Sequence, residues 1–194
     1  MNWSEAKRLW GKVWYFIWED DSVWSWLVNI VLAFLLVKFI IYPLLGFLLG
    51  TAFPVVAVVS GSMQHNGVSF DPWWESNKEF YINLGISKDD FSNYIFRNGF
   101  NKGDIIVLLG VKPKDIKRGM VIVYSTTRYQ YPIIHRAVDV QNTNDKILVE
   151  TKGDNNQVQD PELVNENQVL GRAVLKIPYL GWIKIMFTKM IGGV

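Results

Sequence analysis

The tetrapeptide Ser60-Gly61-Ser62-Met63 places hydroxyls in a small-residue loop directly after an apolar run. A serine hydroxyl is a useful nucleophile only when a base takes its proton, and the base works best when a third group orients it. The chain offers two imidazoles, His65 and His135. His135 is the stronger base candidate, because it lies in the apolar, strand-like stretch Tyr131–Val138 that would hold it rigid. Imidazole is also the side chain suited to shuttling protons near neutrality. His65, three residues after Ser62, is expected to be loop or substrate-facing surface, since the members of such a triad usually come from distant segments. Acidic orienters are available in Lys152–Asp160, which contains Asp154 and Asp160. Each feature has a plain alternative. A lone histidine is most often a core residue bonded to a carbonyl, and a Gly-Asp-Asn-Asn run is turn chemistry.

Composition narrows the field. The net charge is +2, and no run of Lys or Arg forms a backbone-binding stripe, which argues against a nucleic-acid partner. The absence of cysteine excludes disulfides, thiol catalysis and Cys-based zinc sites. A His65–His135 metal pair would lack further clustered ligands, so neither a metal nor a cofactor is expected. Hydrophobic residues make up 49% of the chain although 20% of it is charged, which requires that the two be segregated. They are: between Asp21 and Asp71 the only formal charge is Lys38.

That apolar region is read as a membrane anchor. From residue 23 to about residue 50 the chain is almost wholly apolar, long enough at ~1.5 Å per residue to cross a hydrocarbon core of ~30 Å. It is too long and starts too late for a cleaved leader. Lys38 is costly there and should snorkel or meet a polar neighbour. Pro43 is expected to mark a kink or the outer end. Residues 1–22 carry Trp3, Trp10, Trp14 and Trp18 at helical spacing beside Lys7, Arg8 and Lys12, the pattern of an amphipathic helix at headgroup level. Three basic residues precede the span and none lies between Lys38 and Lys78. The positive-inside rule therefore puts the N-terminus in the cytoplasm and everything after the span outside.

After the anchor the texture is β-rich. Val55–Val59, Asp104–Leu109, Met120–Tyr124, Ile133–Val138, Ile147–Thr151 and Val169–Ile177 read as strands separated by turn residues, with a polar turn at Gln141–Asp145. Residues 64–102 stand apart, with nine Phe, Trp and Tyr residues among Asn, Ser and Gly. Ser87-Lys88-Asp89-Asp90 can cap a short helix running through Phe96. The aromatic segment reads either as a flap over a groove or membrane, or as a satellite core whose rings bury one another. The fold class is thus a mainly β domain, residues 51–185, on a single N-terminal transmembrane helix. A C-terminal apolar tail follows at residues 186–194.

Taken together and in order, these motifs resemble one family. Ser60-Gly61-Ser62-Met63 after a membrane helix is similar to the nucleophile box of type I signal peptidases. Pro132-Ile133-Ile134-His135-Arg136, Lys152-Gly153-Asp154-Asn155-Asn156 with Asp160, and Gly171-Arg172-Ala173 before Ile177-Pro178-Tyr179-Leu180-Gly181 resemble the archaeal and endoplasmic-reticulum branch, which has histidine where the bacterial branch has lysine. The resemblance covers residues 23–63 and 103–185 and leaves 64–102 as an insertion. Met63 is followed by Gln64-His65-Asn66 rather than by the family's proline two residues on, and Gly119-Met120 replaces a second Gly-Asp.

The resemblance implies a signal-peptidase-like β fold and a membrane-bound serine endopeptidase that removes signal peptides from exported preproteins. It implies Ser62 as nucleophile, His135 as general base, Asp160 as the triad aspartate, Asp154 as a second carboxylate near the site, and Ser60 as oxyanion support. The implied partners are signal-peptide-bearing preproteins, the lipid bilayer and membrane partner subunits. The implied location is the plasma membrane, or the endoplasmic reticulum in a eukaryote. The rival from another class is a catalytically silent anchored β-domain that binds extended peptides or partner subunits. Such a module needs a groove but has no need of Ser62, His135 and Asp160 together.

Overall fold

A computed structural model of the chain describes residues 2–129, 131–143 and 146–190. Asn144 and Asp145 of the expected polar turn, and residues 191–194 of the expected tail, lie outside these. The chain divides into two units, one up to Leu45 and one from Gly46 onward.

In the first unit, α1 (Trp3–Trp18) begins with a reciprocal capping box between Asn2 and Glu5. It buries none of its residues, and Trp3, Trp10, Trp14 and Trp18 are all exposed. A second, apolar helix runs over Val23–Leu49 and is long and apolar enough to cross a membrane. It consists of α2 (Val23–Leu36), a π turn (Val37–Ile41) and α3 (Tyr42–Leu49). Pro43 does not break it. A proline has no N–H for the carbonyl four residues back and its ring crowds that carbonyl. The widened turn immediately before Pro43 absorbs the misfit, with the Tyr42 N–H donating to Val37 O. Lys38 lies in that turn with its ammonium over the Phe34 and Phe39 rings, 5.7 and 5.4 Å from their centres. The start of α2 is tied back to the end of α1, with Ser25 Oγ donating to Phe16 O and Asn29 Nδ2 to Ile17 O.

The second unit is built on one antiparallel seven-stranded sheet of order β1-β2-β7-β3-β4-β5-β6. The strands are β1 (Val55–Ala57), β2 (Ile105–Leu109), β3 (Val121–Tyr124), β4 (Ile133–Thr143), β5 (Lys146–Lys152), β6 (Val164–Asn165) and β7 (Val169–Ile177). The mainly β architecture expected from the sequence is present, and each expected strand appears. β4 runs five residues beyond its expected end, and β6 is too short for periodicity to reveal. All four residues of β3 are buried, because it lies mid-sheet with apolar side chains packed on both faces. Val121 and Val123 join Val58, Met63, Phe100, Ile106, Leu108 and Ala173 on one side. On the other, Ile122 and Tyr124 join Ile116, Ala137, Ile147, Val149 and Val164.

The aromatic segment forms α4 (Phe70–Asn83) and α5 (Lys88–Ser92), the latter started by the expected Ser87 cap, whose hydroxyl accepts from the Asp90 N–H. α5 stops well short of Phe96, which has a positive φ of 59° that no helix tolerates. Of the two readings of this segment, the satellite core is what forms. Trp73, Trp74, Tyr81, Ile86 and Phe91 bury one another together with Val138 of β4. Val138 reaches them because the β4–β5 pairing shifts by a residue between Ala137 and Asp139. α6 (Gly181–Met190) ends the described chain.

Candidate active site

Strand parity sorts the polar residues of the second unit. β4 pairs Ile122 with His135, Arg136 with Lys152 and Ala137 with Thr151. Side chains alternate across a strand, so His135, Ala137, Tyr124 and Thr151 share one face while Arg136 and Lys152 share the other. One face becomes the site and the other meets the aromatic core.

On the site face, His135 Nδ1 and Asp160 Oδ2 are 2.6 Å apart. The same carboxylate oxygen accepts from Thr151 Oγ1 at 2.6 Å and Tyr124 Oη at 2.9 Å, and the Asp160 N–H donates to Thr151 O at 2.8 Å. Burial pushes the Asp160 carboxyl up, but the hydrogen bonds from His135, Thr151 and Tyr124 outweigh it and hold Asp160 below its ordinary value. An ionised carboxylate only accepts, so Nδ1 carries the proton of this bond, and in the neutral ring Nε2 is then the acceptor. Burial raises the Tyr124 phenol well above its usual range, which keeps it a donor to Asp160.

Ser62 lies across the floor of the same cleft. Its Oγ is 3.2 Å from Ser60 Oγ, and among the described residues it makes no hydrogen bond to His135. Gly153 explains the closeness of the two segments. A Cβ there would sit 2.7 Å from Ser62 O and 2.9 Å from His135 Nε2, so only glycine lets serine loop and imidazole converge. The turn that follows grips the loop: the Asn155 N–H donates to Ser62 O at 2.7 Å and its Nδ2 to Gly61 O at 3.1 Å. The cleft encloses about 650 Å³ and is walled by Ala57–Ser60 on one side and Tyr131–His135 on the other. Arg128, Tyr129 and Glu162 line its rim. Among the described residues β1 is an end strand of the sheet, paired with β2 alone, so its other side offers unpaired backbone groups.

Asp154 is not in this constellation. It is fully buried on the far side of Gly153 and forms a two-pronged ion pair with Arg136, Nε to Oδ1 at 2.9 Å and Nη2 to Oδ2 at 2.7 Å. Burial alone would raise its pKa, but Arg136 and then His65 more than reverse this and bring it down to about 2. Arg136 itself is 0% exposed and also donates to Gly119 O, Ile95 O and Phe96 O, with its guanidinium 4.6 Å from the centre of the Phe91 ring. Of the two aspartates left open by the sequence, it is Asp160 that contacts His135.

His65 departs from expectation. It is neither exposed loop nor substrate-facing, being 4% exposed and stacked on Trp73 at 3.9 Å with a 4° interplanar angle. Its Nε2 lies 3.3 Å from Asp154 Oδ2. The physical reason is the insertion: rings that a surface loop would leave in water here supply a flat partner for imidazole. In the sequence nothing marks a role for Tyr124, Thr151, Asn155 or Arg136. Thr151 and Tyr124 looked like ordinary strand residues, and only their shared face with His135 marks them. Among the described residues no cluster of three or more His, Cys, Asp and Glu forms a metal site.

Chemically, a carboxylate, an imidazole and two serine hydroxyls along one cleft are groups with which acyl transfer to serine can be carried out. Comparison with known proteins finds several named relatives. The chain is 34% identical over 97 residues to the signal peptidase complex catalytic subunit SEC11C of Homo sapiens, a match covering 46% of this chain and 50% of that protein. It is 27% identical over 161 residues to SEC11 of Scheffersomyces stipitis, covering 79% and 76%. A further relative, 36% identical over 106 residues and covering 50% and 51%, is the uncharacterised protein MJ0260 of Methanocaldococcus jannaschii. The chain thus spans about half the length of the SEC11C relatives it matches. No family model matches it. The resemblance to the archaeal and endoplasmic-reticulum branch of type I signal peptidases, drawn from the motifs, is borne out by these relatives.

Proposed function

We propose that the protein is a membrane-anchored serine endopeptidase that removes signal peptides from preproteins. The observation that carries this reading is the 2.6 Å contact between His135 Nδ1 and Asp160, with His135, Ser62 and Ser60 lining one cleft. The substrate chain lies extended against the free edge of β1 and its continuation Val58–Ser60, pairing main chain to main chain. Ser62 Oγ attacks the scissile carbonyl carbon while His135 Nε2 takes its proton. The tetrahedral oxyanion meets the Ser62 N–H and the Ser60 hydroxyl. His135 then protonates the departing amine, breaking the C–N bond to leave an acyl-enzyme. A water deprotonated by His135 releases the signal peptide's new carboxylate and restores Ser62. Asp160 holds the imidazole in the required tautomer and stabilises its cation.

The helix Val23–Leu49 is the anchor, a single pass with α1 on the cytoplasmic side and the second unit outside, as the distribution of Lys and Arg directs. The relatives named for a signal peptidase complex support membrane partner subunits for this chain as well. The test is cleavage of a model preprotein by the full chain in liposomes. Wild type should cut, and Ser62→Ala, His135→Ala and Asp160→Ala should not. Undiminished cleavage by Ser62→Ala would overturn the assignment.

A further inference from the structure

The segment 64–102 begins directly after Met63, and it is joined to both halves of the site through polar bonds rather than through apolar contact alone. On the serine side, Met63 O accepts from the Phe100 N–H at 3.0 Å, and Met63 Sδ lies 3.4 Å from the Asp154 N–H. His65 follows two residues later, its ring flat against Trp73 of α4 and its Nε2 on Asp154. Asp154 is ionised at neutral pH, since its pKa lies near 2, so Nε2–H is the donor in that bond. Among the described residues His65 Nδ1 is buried without a partner, and the bond to Asp154 is the ring's single hydrogen bond. On the base side, Arg136 directly follows His135, clasps the same Asp154 and caps the Ile95 and Phe96 carbonyls of the segment.

We infer that His65 is a positioning residue for the proposed nucleophile and that the aromatic segment is its rigid mount rather than a lid. Asp154 is the shared node. Its Oδ2 receives both His65 from the serine's loop and Arg136 from the strand of the base, and Oδ1 receives Arg136 again, so one carboxylate fixes the spacing of Ser62 and His135. The loop needs such a mount. Ser60 to Met63 lies outside any strand, and from beyond the segment it is held by the Asn155 N–H on Ser62 O, by Asn155 Nδ2 on Gly61 O and by the Asp154 N–H on Met63 Sδ. Stacking fixes the plane of the His65 ring, and the Nε2 bond fixes its rotation about that plane. Close approach to the mount is enforced at Gly99, where a Cβ would collide with Met63 O and stand 2.7 Å from His65 Cδ2. A misplacement of the order of 1 Å at a reacting group costs roughly a hundredfold in rate.

This inference rests on Ser62 being the nucleophile, and the experiment separates the two. Full-length wild type, Ser62→Ala, His65→Phe and His65→Gln are compared in liposomes for preprotein cleavage, and in detergent for backbone hydrogen exchange over residues 58–66. Phe keeps the stack on Trp73 and loses the bond. Gln restores a donor at the Nε2 position. His65→Phe should lower kcat tenfold to a hundredfold with KM within twofold, and should speed exchange at Ser60–Met63 at least tenfold. His65→Gln should recover most of both. If His65→Phe has wild-type kcat and exchange, the inference fails. It fails equally if His65→Gln is as impaired as His65→Phe, because the ring alone would then matter. Should Ser62→Ala still cleave, the catalytic reading falls instead, and the exchange data still decide whether His65 fixes the loop. If His65→Phe does not fold, Trp73→Phe, which shortens the stacking face and leaves the Asp154 bond, should show the same exchange at reduced size, and wild-type exchange there overturns the inference.

Discussion

Replacing Asp154 by asparagine removes one charge from a fully buried pair while keeping nearly the same volume. The Arg136 guanidinium would stay at 0% exposure with three carbonyls, Gly119, Ile95 and Phe96, but no counter-charge. Breaking a buried pair from one side costs roughly 3–5 kcal/mol, and the surviving carbonyl bonds favour the lower figure for Asp154→Asn. Arg136→Met strands the carboxylate instead, with His65 as its remaining side-chain donor, and should cost about 4–5 kcal/mol. Against domain stabilities of roughly 5–15 kcal/mol either loss is large. The double variant Arg136→Met/Asp154→Leu leaves no buried charge and should recover much of the loss, so the double-mutant cycle shows strong coupling. The assay is urea unfolding of the full chain in detergent, followed by near-ultraviolet circular dichroism. The pH dependence has a definite sign. The folded pKa is depressed from 3.8 to about 2, so the stabilisation is complete above pH ~4 and lost as pH falls through ~2. At ~1.36 kcal/mol per pH unit the shift amounts to about 2 kcal/mol, and the gap between wild type and Asp154→Asn should narrow by that much over this window. If Asp154→Asn unfolds at the wild-type urea midpoint, the stabilising role of the buried pair is refuted.

Asp160→Asn should keep the fold and lower kcat on the order of 10³–10⁴-fold, because an amide can hold His135 in the wrong tautomer; steady-state cleavage measures it. Ser60→Ala should lower kcat by ~10–10³-fold with KM little changed if its hydroxyl meets the oxyanion. Gly153→Ala should abolish cleavage, since its methyl would press on Ser62 O and His135 Nε2, and a folded, active alanine variant would contradict the packing. Lys152 is 1% exposed, its ammonium 5.0 Å from the Phe80 ring centre, and burial lowers its pKa from 10.5 to about 8. That depression costs about 3 kcal/mol at neutral pH, of which contacts to two aromatic faces return ~0.5–2. Lys152→Met should therefore stabilise the protein by about 1–2 kcal/mol at pH 7. The advantage should shrink as pH rises from 8 towards 10.5 and the wild-type amine is neutralised in the fold, as thermal melts across that range would report.

The sequence by itself determined what depends on local pattern. The apolar runs and turn residues from Val55 to Ile177 set the strands, and the apolar run after Ser22, with Lys38 as its single charge, set the long helix, because both properties are carried by neighbours a few residues apart. The order of the Ser-Gly-Ser-Met, His-Arg and Gly-Asp-Asn-Asn motifs marked the residues of the site. What each does was decided in three dimensions. Asp154 and Asp160 are equally acidic and six residues apart, and no local rule tells them apart. They separate because Asp160, past the turn that leaves β5, returns beside Thr151 on the face of His135, while Asp154 sinks towards Arg136 on the other. His65 looked like a surface loop residue because burying an imidazole requires partners, and its partners Trp73 and Asp154 come from elsewhere in the chain. The aromatic segment likewise lacked a strong period of its own. Its rings found their places only against one another and against Val138, at a shift in strand pairing that long-range register creates and local sequence does not encode.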